Sequence, residues 1–254
     1  MTTLFFNIAS LLKSYRPFKD LVQRFIDGKF PVEVEGPEGP FFSLLVSELS
    51  SYTRGSSIVV LPTEQEAEAV VNDLSVFSQD VVLFPHWENI PYRGITPQAH
   101  TAGRRVSVLS RLCEGEKLIV VTYLRALLTP LPERSFLHKH TLHIKVGDEI
   151  DPEAMAETLT AYGYLRVPMA TVPGEYALRG EVMDVFLPDS EYATRIVFEF
   201  DTVEEIRLYD PLTQGSVEKL SEVKIFPSSE ILWDTERIEA LFRRFKLSPE
   251  AKEL

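Results

Sequence analysis

Cysteine is nearly absent from this chain of 254 residues: the single Cys113 excludes an internal disulfide and any cysteine-rich zinc site. A lone thiol fits a reducing cytoplasm, and core packing is its expected role. Basic residues are also in deficit, 26 Lys and Arg against 38 Asp and Glu, for a formal charge of −12. That balance opposes nonspecific adhesion to a phosphate backbone, which depends on clustered cations releasing counterions. Arg104, Arg105 and Arg111 make a local basic patch. On a helix they are expected to form a solvated face. No long apolar run is present, so no membrane span is expected. The first dozen residues lack the basic start and the small-residue cleavage pattern of a signal peptide. There is no G-x-S-x-G turn for a serine nucleophile and no Gly-rich dinucleotide fingerprint. His138, His140 and His143 are close in sequence but have no cysteine neighbour or helical His pair, so no metal site is expected from them.

A further deficiency lies in Glu35-Gly36-Pro37-Glu38-Gly39-Pro40-Phe41-Phe42-Ser43. A phosphate loop of the form G-x-x-x-x-G-K-S/T cradles phosphates with backbone N–H groups, and its Lys and hydroxyl serve the β/γ-phosphates and Mg²⁺. With Gly36 at the first Gly, Phe41 stands at the second Gly, Phe42 at the Lys and Ser43 at the hydroxyl. Pro37 and Pro40 each lack an N–H donor. The stretch Gly36, Gly39, Phe41, Phe42, Ser43 therefore reads either as a degenerate phosphate loop or as an ordinary Gly/Pro turn. Both readings predict no ATPase here and no bound cofactor. The loop is expected to join a strand, Phe30 to Glu35, to a helix, Phe41 to Leu49.

What is present is a globular composition, 44 % hydrophobic and 25 % charged, long enough for one large domain or two ordinary ones. From Lys29 to Thr129, short β-branched runs alternate with helical patterns, as in βαβ units with a parallel sheet. Ser57–Leu61, Val81–Phe84 and Lys117–Val121 are nearly continuous apolar runs, the pattern of strands buried on both faces. Thr63 and Glu66 make a capping box ahead of a helix bearing Ala67, Val70, Val71, Leu74 and Phe77. Another helix spans Gln98 to Cys113. Composition shifts after Arg134, and strands then dominate: Thr141–Val146, Glu175–Phe186, Thr194–Phe200, Glu205–Tyr209 and Val223–Phe226. One helix interrupts them, opened by Asp151-Pro152 and stopped at Gly163. The fold class is α/β: a parallel-sheet, degenerate P-loop-like domain with an inserted small α+β domain built on an antiparallel sheet. The expected boundaries are 1–134, 135–228 and a helical tail, 229–254, cut from a longer protein.

Two segments are distinctive. Phe84 to Tyr92 is dense in aromatics and prolines at a strand end, fitting a core cover or a recognition edge. Gly174 to Phe186 and Arg195 to Thr202 place Arg179 and Arg195 among apolar strand positions. Arginine beside aromatics is the composition of interface hot spots, and surface arginines satisfied by nearby acids have the same appearance.

These residues together resemble the amino-terminal UvrB-like module of the Mfd family, the bacterial transcription-repair coupling factors. The resemblance rests on Trp87-Glu88-x-x-Pro91-Tyr92-x-x-x-x-Pro97, on Gly174-Glu175-Tyr176-Ala177-x-Arg179-Gly180 with Asp184 and Phe186, and on Phe200-Asp201-Thr202 ahead of Ile206-Arg207, across residues 30 to 230. It implies a nucleotide-binding-like scaffold with a decayed phosphate loop, and a small domain that docks the damage-recognition protein UvrA. Arg179 and Arg195 fall on the family's UvrA-contacting arginines, and Arg166 on a peripheral one. The contacting aromatic falls on Phe200 or Phe198. Family members place it four residues after the second arginine, where this chain has Glu199. Strict alternation puts Arg195 and Phe200 on opposite faces, and a β-bulge near Glu199 would reconcile them. The resemblance further implies a noncatalytic, cytoplasmic fragment of an ATP-dependent DNA translocase, which reaches RNA polymerase and double-stranded DNA through regions absent from this chain. UvrB itself, a damage-verifying ATPase, would need an intact loop and a DNA-clamping hairpin, for which the stretch between Phe84 and Leu118 is too short. An unrelated alternative is a small-molecule-binding α/β protein with its cleft at Pro62-Thr63, Pro85-His86 and Thr122-Tyr123.

Overall fold

The computed structural model describes residues 2–87, 99–232, 239 and 242–244. Most of the Trp87–Pro97 motif and of the expected 229–254 tail lies outside the described residues. The chain divides into two compact units, Met1–Trp87 with Arg111–Pro130 and Glu88–Ser110 with Leu131–Leu254. Of the described residues, 99–110 group with the second unit, whereas the expected boundary assigns them to 1–134.

In the first unit, helices α1 (Thr2–Ser14), α2 (Arg16–Ile26) and α3 (Gly39–Ser51) precede strand β1 (Ser57–Leu61), helix α4 (Glu64–Ser75) and strand β2 (Val81–Phe84). Helix α5 (Ala99–Cys113) runs across the division between the units, and strand β3 (Ile119–Tyr123) and helix α6 (Leu124–Leu127) complete the first unit. The sheet order is β1-β3-β2, all parallel. Thr63 caps α4 as its sequence requires: its hydroxyl accepts from the Glu66 amide, and its own amide donates to the Glu66 carboxylate at 3.1 Å. Ala67 and Leu74 on α4 are fully buried. Leu12, Phe18, Val22, Leu44 and Leu45 form a core among α1, α2 and α3, with Phe77 packed against it.

Two expectations fail here. Burial on both faces holds for the central β3, buried at every position, but not for the edge strand β1, whose Ile58 and Val60 are exposed. The stretch from Phe30 to Glu35 is not a strand and pairs with none of the three sheets. Pro31 cannot donate to a ladder, and Glu33, Val34 and Glu35 are all solvent-exposed, so no buried face recruits the segment.

The second unit contains helix α7 (Arg134–Lys139), strand β4 (Leu142–Lys145), helix α8 (Pro152–Ala161) and strands β5 (Leu165–Arg166), β6 (Glu175–Arg179), β7 (Val182–Val185), β8 (Ala193–Glu199), β9 (Thr202–Tyr209), β10 (Ser216–Leu220) and β11 (Glu222–Ile225). β4 and β11 pair with each other, and the other six form a sheet of order β10-β9-β8-β7-β6-β5, antiparallel except at β5–β6. Asp151 caps α8, accepting from the Glu153 and Ala154 amides, and Gly163 ends it at φ +86. Met155, Ala156 and Leu159 of α8 are buried, as are Tyr176, Met183, Ile196, Phe198 and Ile206 of the sheet, and Thr160 Oγ1 lies 2.8 Å from Tyr176 Oη. Each large apolar side chain so buried stabilises by about 1.5–3 kcal/mol.

The expected single strand Glu175–Phe186 is a hairpin. Arg179 pairs with Val182 around Gly180-Glu181, and Gly180 takes φ +60, which a side chain would strain. Arg105 is not on a solvated face: it is fully buried and ion-paired to the buried Glu230, while the Ser107 hydroxyl donates to Asp189. Gly103 of the same helix lies so close to Pro188 that a Cβ would collide with it. These contacts explain why 99–110 belong to the second unit.

Candidate docking face

The hairpin register sets the site. Ala177 pairs with Asp184, Asp184 with Arg195, Arg195 with Arg207 and Arg207 with Lys219, so these residues share one face across five strands. The neighbouring row, Leu178, Met183, Ile196, Ile206 and Leu220, points to the opposite face. Arg179, two residues beyond Ala177, joins the first face.

Asp184 is fully buried beneath two guanidinium groups. Arg195 grips it bidentately, Nε to Oδ1 at 2.6 Å and Nη2 to Oδ2 at 2.9 Å, and Arg179 Nη2 donates to Oδ2 at 2.7 Å. Charge-assisted contacts of this length are the strong kind. The Arg195 side chain is only 16 % exposed, whereas that of Arg179 is 48 % exposed. Arg195 also lies over the Tyr209 ring at 4.4 Å and donates to Gln214 Oε1 at 3.3 Å. Hydrogen bonding to Asp184 raises the Arg195 pKa further, so it stays charged. Burial, then the Asp184 charge, pushes the Tyr209 phenol up to about 12. Arg195 and Arg207 stand directly opposite each other, a repulsive pairing that Asp184 relieves on one side and Glu205 on the other, bound to Arg207 Nη1 at 3.1 Å. At one end of the face, Ala170 packs on Phe186, Ala193 and Tyr209.

The remaining expected contacts separate. Phe198 is buried on the core face, so it is not available to a partner. Phe200 sits in the β8–β9 turn, 80 % exposed and at φ +57. The ladder is bulged, but on the other strand: Val197 pairs with Glu205 and Phe198 with Val203, leaving Glu204 of β9 as the extra residue. β8 keeps its alternation, and Phe200 leaves the strand instead of being flipped within it. The turn is held from outside, since the Ile150 amide donates to Asp201 O at 2.6 Å. It stands at the same sheet end as Gly180-Glu181, because the Phe198 amide donates to Glu181 O at 2.8 Å. Arg166 is exposed on edge strand β5, paired to Glu153 of α8 at 3.6 Å. It is therefore on the helix-bearing face, away from Arg179 and Arg195.

In the first unit, α3 begins at Gly39 with Glu38 as its N-cap, so a carboxylate stands where a phosphate loop offers positive potential. Phe41 is exposed, Phe42 half-buried and Ser43 fully buried within α3. Phe41 borders an open groove of about 980 Å³ that Leu11, Phe18, Val34 and Leu45 also line. At the strand ends of the same unit, the Tyr123 hydroxyl donates to Glu64 at 3.0 Å and accepts from the His86 amide at 3.0 Å, and Thr122 Oγ1 donates to Phe84 O. Within the postulated small-molecule cleft, Tyr123, Thr122 and the His86 amide are thus engaged in hydrogen bonds inside the protein.

Residues 142–231, which hold the whole arginine face, match the family described as the UvrB interaction domain. The chain is related to the transcription-repair-coupling factors. It is 27 % identical over 242 residues to that of Borreliella burgdorferi, covering 94 % of this chain and 21 % of the relative. It is 32 % identical over 207 residues to that of Haemophilus influenzae, covering 80 % and 18 %, and 30 % identical over 229 residues to that of Bacillus subtilis, covering 89 % and 19 %. The chain thus spans about a fifth of the length of the curated relatives it matches. Of the residues on its arginine face, sequence reasoning named Asp184 without a role and missed Tyr209 and Gln214. The signal was available for Asp184: a two-residue turn at Gly180-Glu181 brings Asp184 opposite Ala177 and beside Arg179.

Proposed function

We propose that this module recruits UvrA through the solvent-facing side of its six-stranded sheet, with Arg179 as the central contact, Arg195 beside it and Phe200 as an apolar contact at the sheet end. The observation that carries the reading is the arginine pair on one buried acid within the segment matching the UvrB interaction domain. Phe200 adds support. A bulky aromatic in the left-handed region, largely in water, is disfavoured by both its backbone and its hydration, which fits a residue kept for contact.

In the same reading, the module belongs to a cytoplasmic coupling factor whose remaining regions bind RNA polymerase and drive along double-stranded DNA with ATP, displacing stalled polymerase for nucleotide excision repair. The module is noncatalytic, and its first unit is a P-loop-like scaffold whose phosphate site has decayed. The Glu38 cap, the missing N–H groups of Pro37 and Pro40, and the buried Ser43 hydroxyl support that over a UvrB-like ATPase. Lone Cys113 suits a reducing compartment, and no described helix is long and apolar enough to cross a membrane.

The test is capture of purified UvrA by the wild-type chain and by Arg179→Ala and Arg195→Ala. Loss of capture with the fold intact supports the docking site. Unchanged capture by both variants refutes it.

A further inference from the structure

The two arginines of the face are not equivalent. Arg195 is a mostly buried side chain with its charge committed to Asp184, its plane against Tyr209 and a further bond to Gln214. Arg179 is half in water and gives Asp184 one Nη2 donor. A guanidinium carries five N–H donors in a fixed fork, so this single bond leaves Arg179 with donors to offer while fixing the direction in which they point. An exposed arginine without such a tether has to give up several rotamers on binding, and that ordering opposes association.

We infer that Asp184 is the positioning residue of the docking face: gripped by Arg195, it orients Arg179 so that one guanidinium is presented, pre-ordered, to a carboxylate of the partner. The inference rests on the UvrA reading above. It assigns the chemistry on the partner's side, an acidic group matched by Arg179, and it assigns Arg195 to support. It also makes a prediction opposite to simple charge counting. Replacing Asp184 by Asn removes a negative charge from beside two cations, which by Coulomb attraction alone would tighten binding to an acidic surface. If orientation dominates, binding weakens.

The experiment is calorimetric titration of purified UvrA with the wild-type chain, Asp184→Asn, Arg179→Lys, Arg179→Ala and the double variant Arg179→Ala/Asp184→Asn. Asp184→Asn is expected to weaken binding about tenfold, Arg179→Lys by a similar factor because the fork is lost, and Arg179→Ala about thirtyfold. In the Arg179→Ala background, Asp184→Asn is expected to change affinity less than about twofold, since a residue acting through Arg179 has nothing left to act on. A merely structural role would weaken both backgrounds alike, and that result overturns the inference. So does affinity equal to or tighter than wild type for Asp184→Asn. If Asp184→Asn does not fold, the half-exposed Arg179→Lys decides: full affinity overturns the inference and a tenfold loss supports it. Unchanged binding by Arg179→Ala instead overturns the UvrA reading, and the inference with it. A loss there with no effect of Asp184→Asn overturns the inference alone.

Discussion

The segment from Glu35 to Ser43 and the sheet face around Asp184 handle charge in opposite ways. In the first, Glu35 and Glu38 stand exposed beside a helix N-terminus, and the residues that would hold an anion are two phenylalanines and a buried hydroxyl. In the second, an acid is buried and two guanidiniums close over it, one of them left half in solvent. The contrast shows that a motif's outline carries little function without its donors, while an arrangement with no sequence motif can hold a charge ready for recognition.

Each part of that contrast can be broken. The largest expected effect is on stability: Asp184→Ala strands the mostly buried Arg195 charge and should cost about 3 kcal/mol or more in urea unfolding. Glu38→Ala, at an exposed cap with no side-chain hydrogen bond, should change it by less than about 0.5 kcal/mol. Equal losses would remove the distinction. Phe200→Gly relieves a left-handed backbone and should raise stability by about 1 kcal/mol while weakening UvrA binding. A variant that is more stable and binds fully would remove Phe200 from the site.

A smaller effect appears in alkali. The Tyr209 phenol is pushed up to about 12, so between the ordinary tyrosine value of 10 and that point the unfolded chain releases its proton while the folded one keeps it, and stability falls as pH rises. Tyr209→Phe should flatten that part of the pH–stability curve; an unchanged slope would detach the phenol from the Asp184 cluster. The smallest effect is expected at the loop. Restoring Gly and Lys with Phe41→Gly/Phe42→Lys should leave ATP affinity undetectable by calorimetry, because Glu38 still caps α3 and Ser43 is buried. Measurable ATP binding would show the loop to be two residues from function.

Local chemistry was legible in the sequence wherever the partners lie a few residues apart. The Thr63–Glu66 box, the Asp151-Pro152 start and the Gly163 stop all stand as read. Long-range pairing was not. Arg105 reads as a surface cation until Glu230, far along the chain, is seen to meet it inside the second unit. The stretch 30–35 has an apolar-acidic alternation that suits a strand, but no neighbouring edge takes it up. At the candidate site, Arg179 and Arg195 were legible as a pair. The acid that joins them, and the separation of Phe198 from Phe200, depended on a hairpin register that the apolar pattern alone does not fix.

The most direct test is titration calorimetry of UvrA with the wild-type chain and with Arg179→Ala, paired with urea unfolding of both proteins. Saturable binding by the wild type is expected, with a loss of about 2 kcal/mol, roughly thirtyfold, in the variant, whose unfolding stays cooperative and loses about 1.5 kcal/mol with the bond to Asp184. Equal affinities for the two chains, or no binding by the wild type, would contradict it.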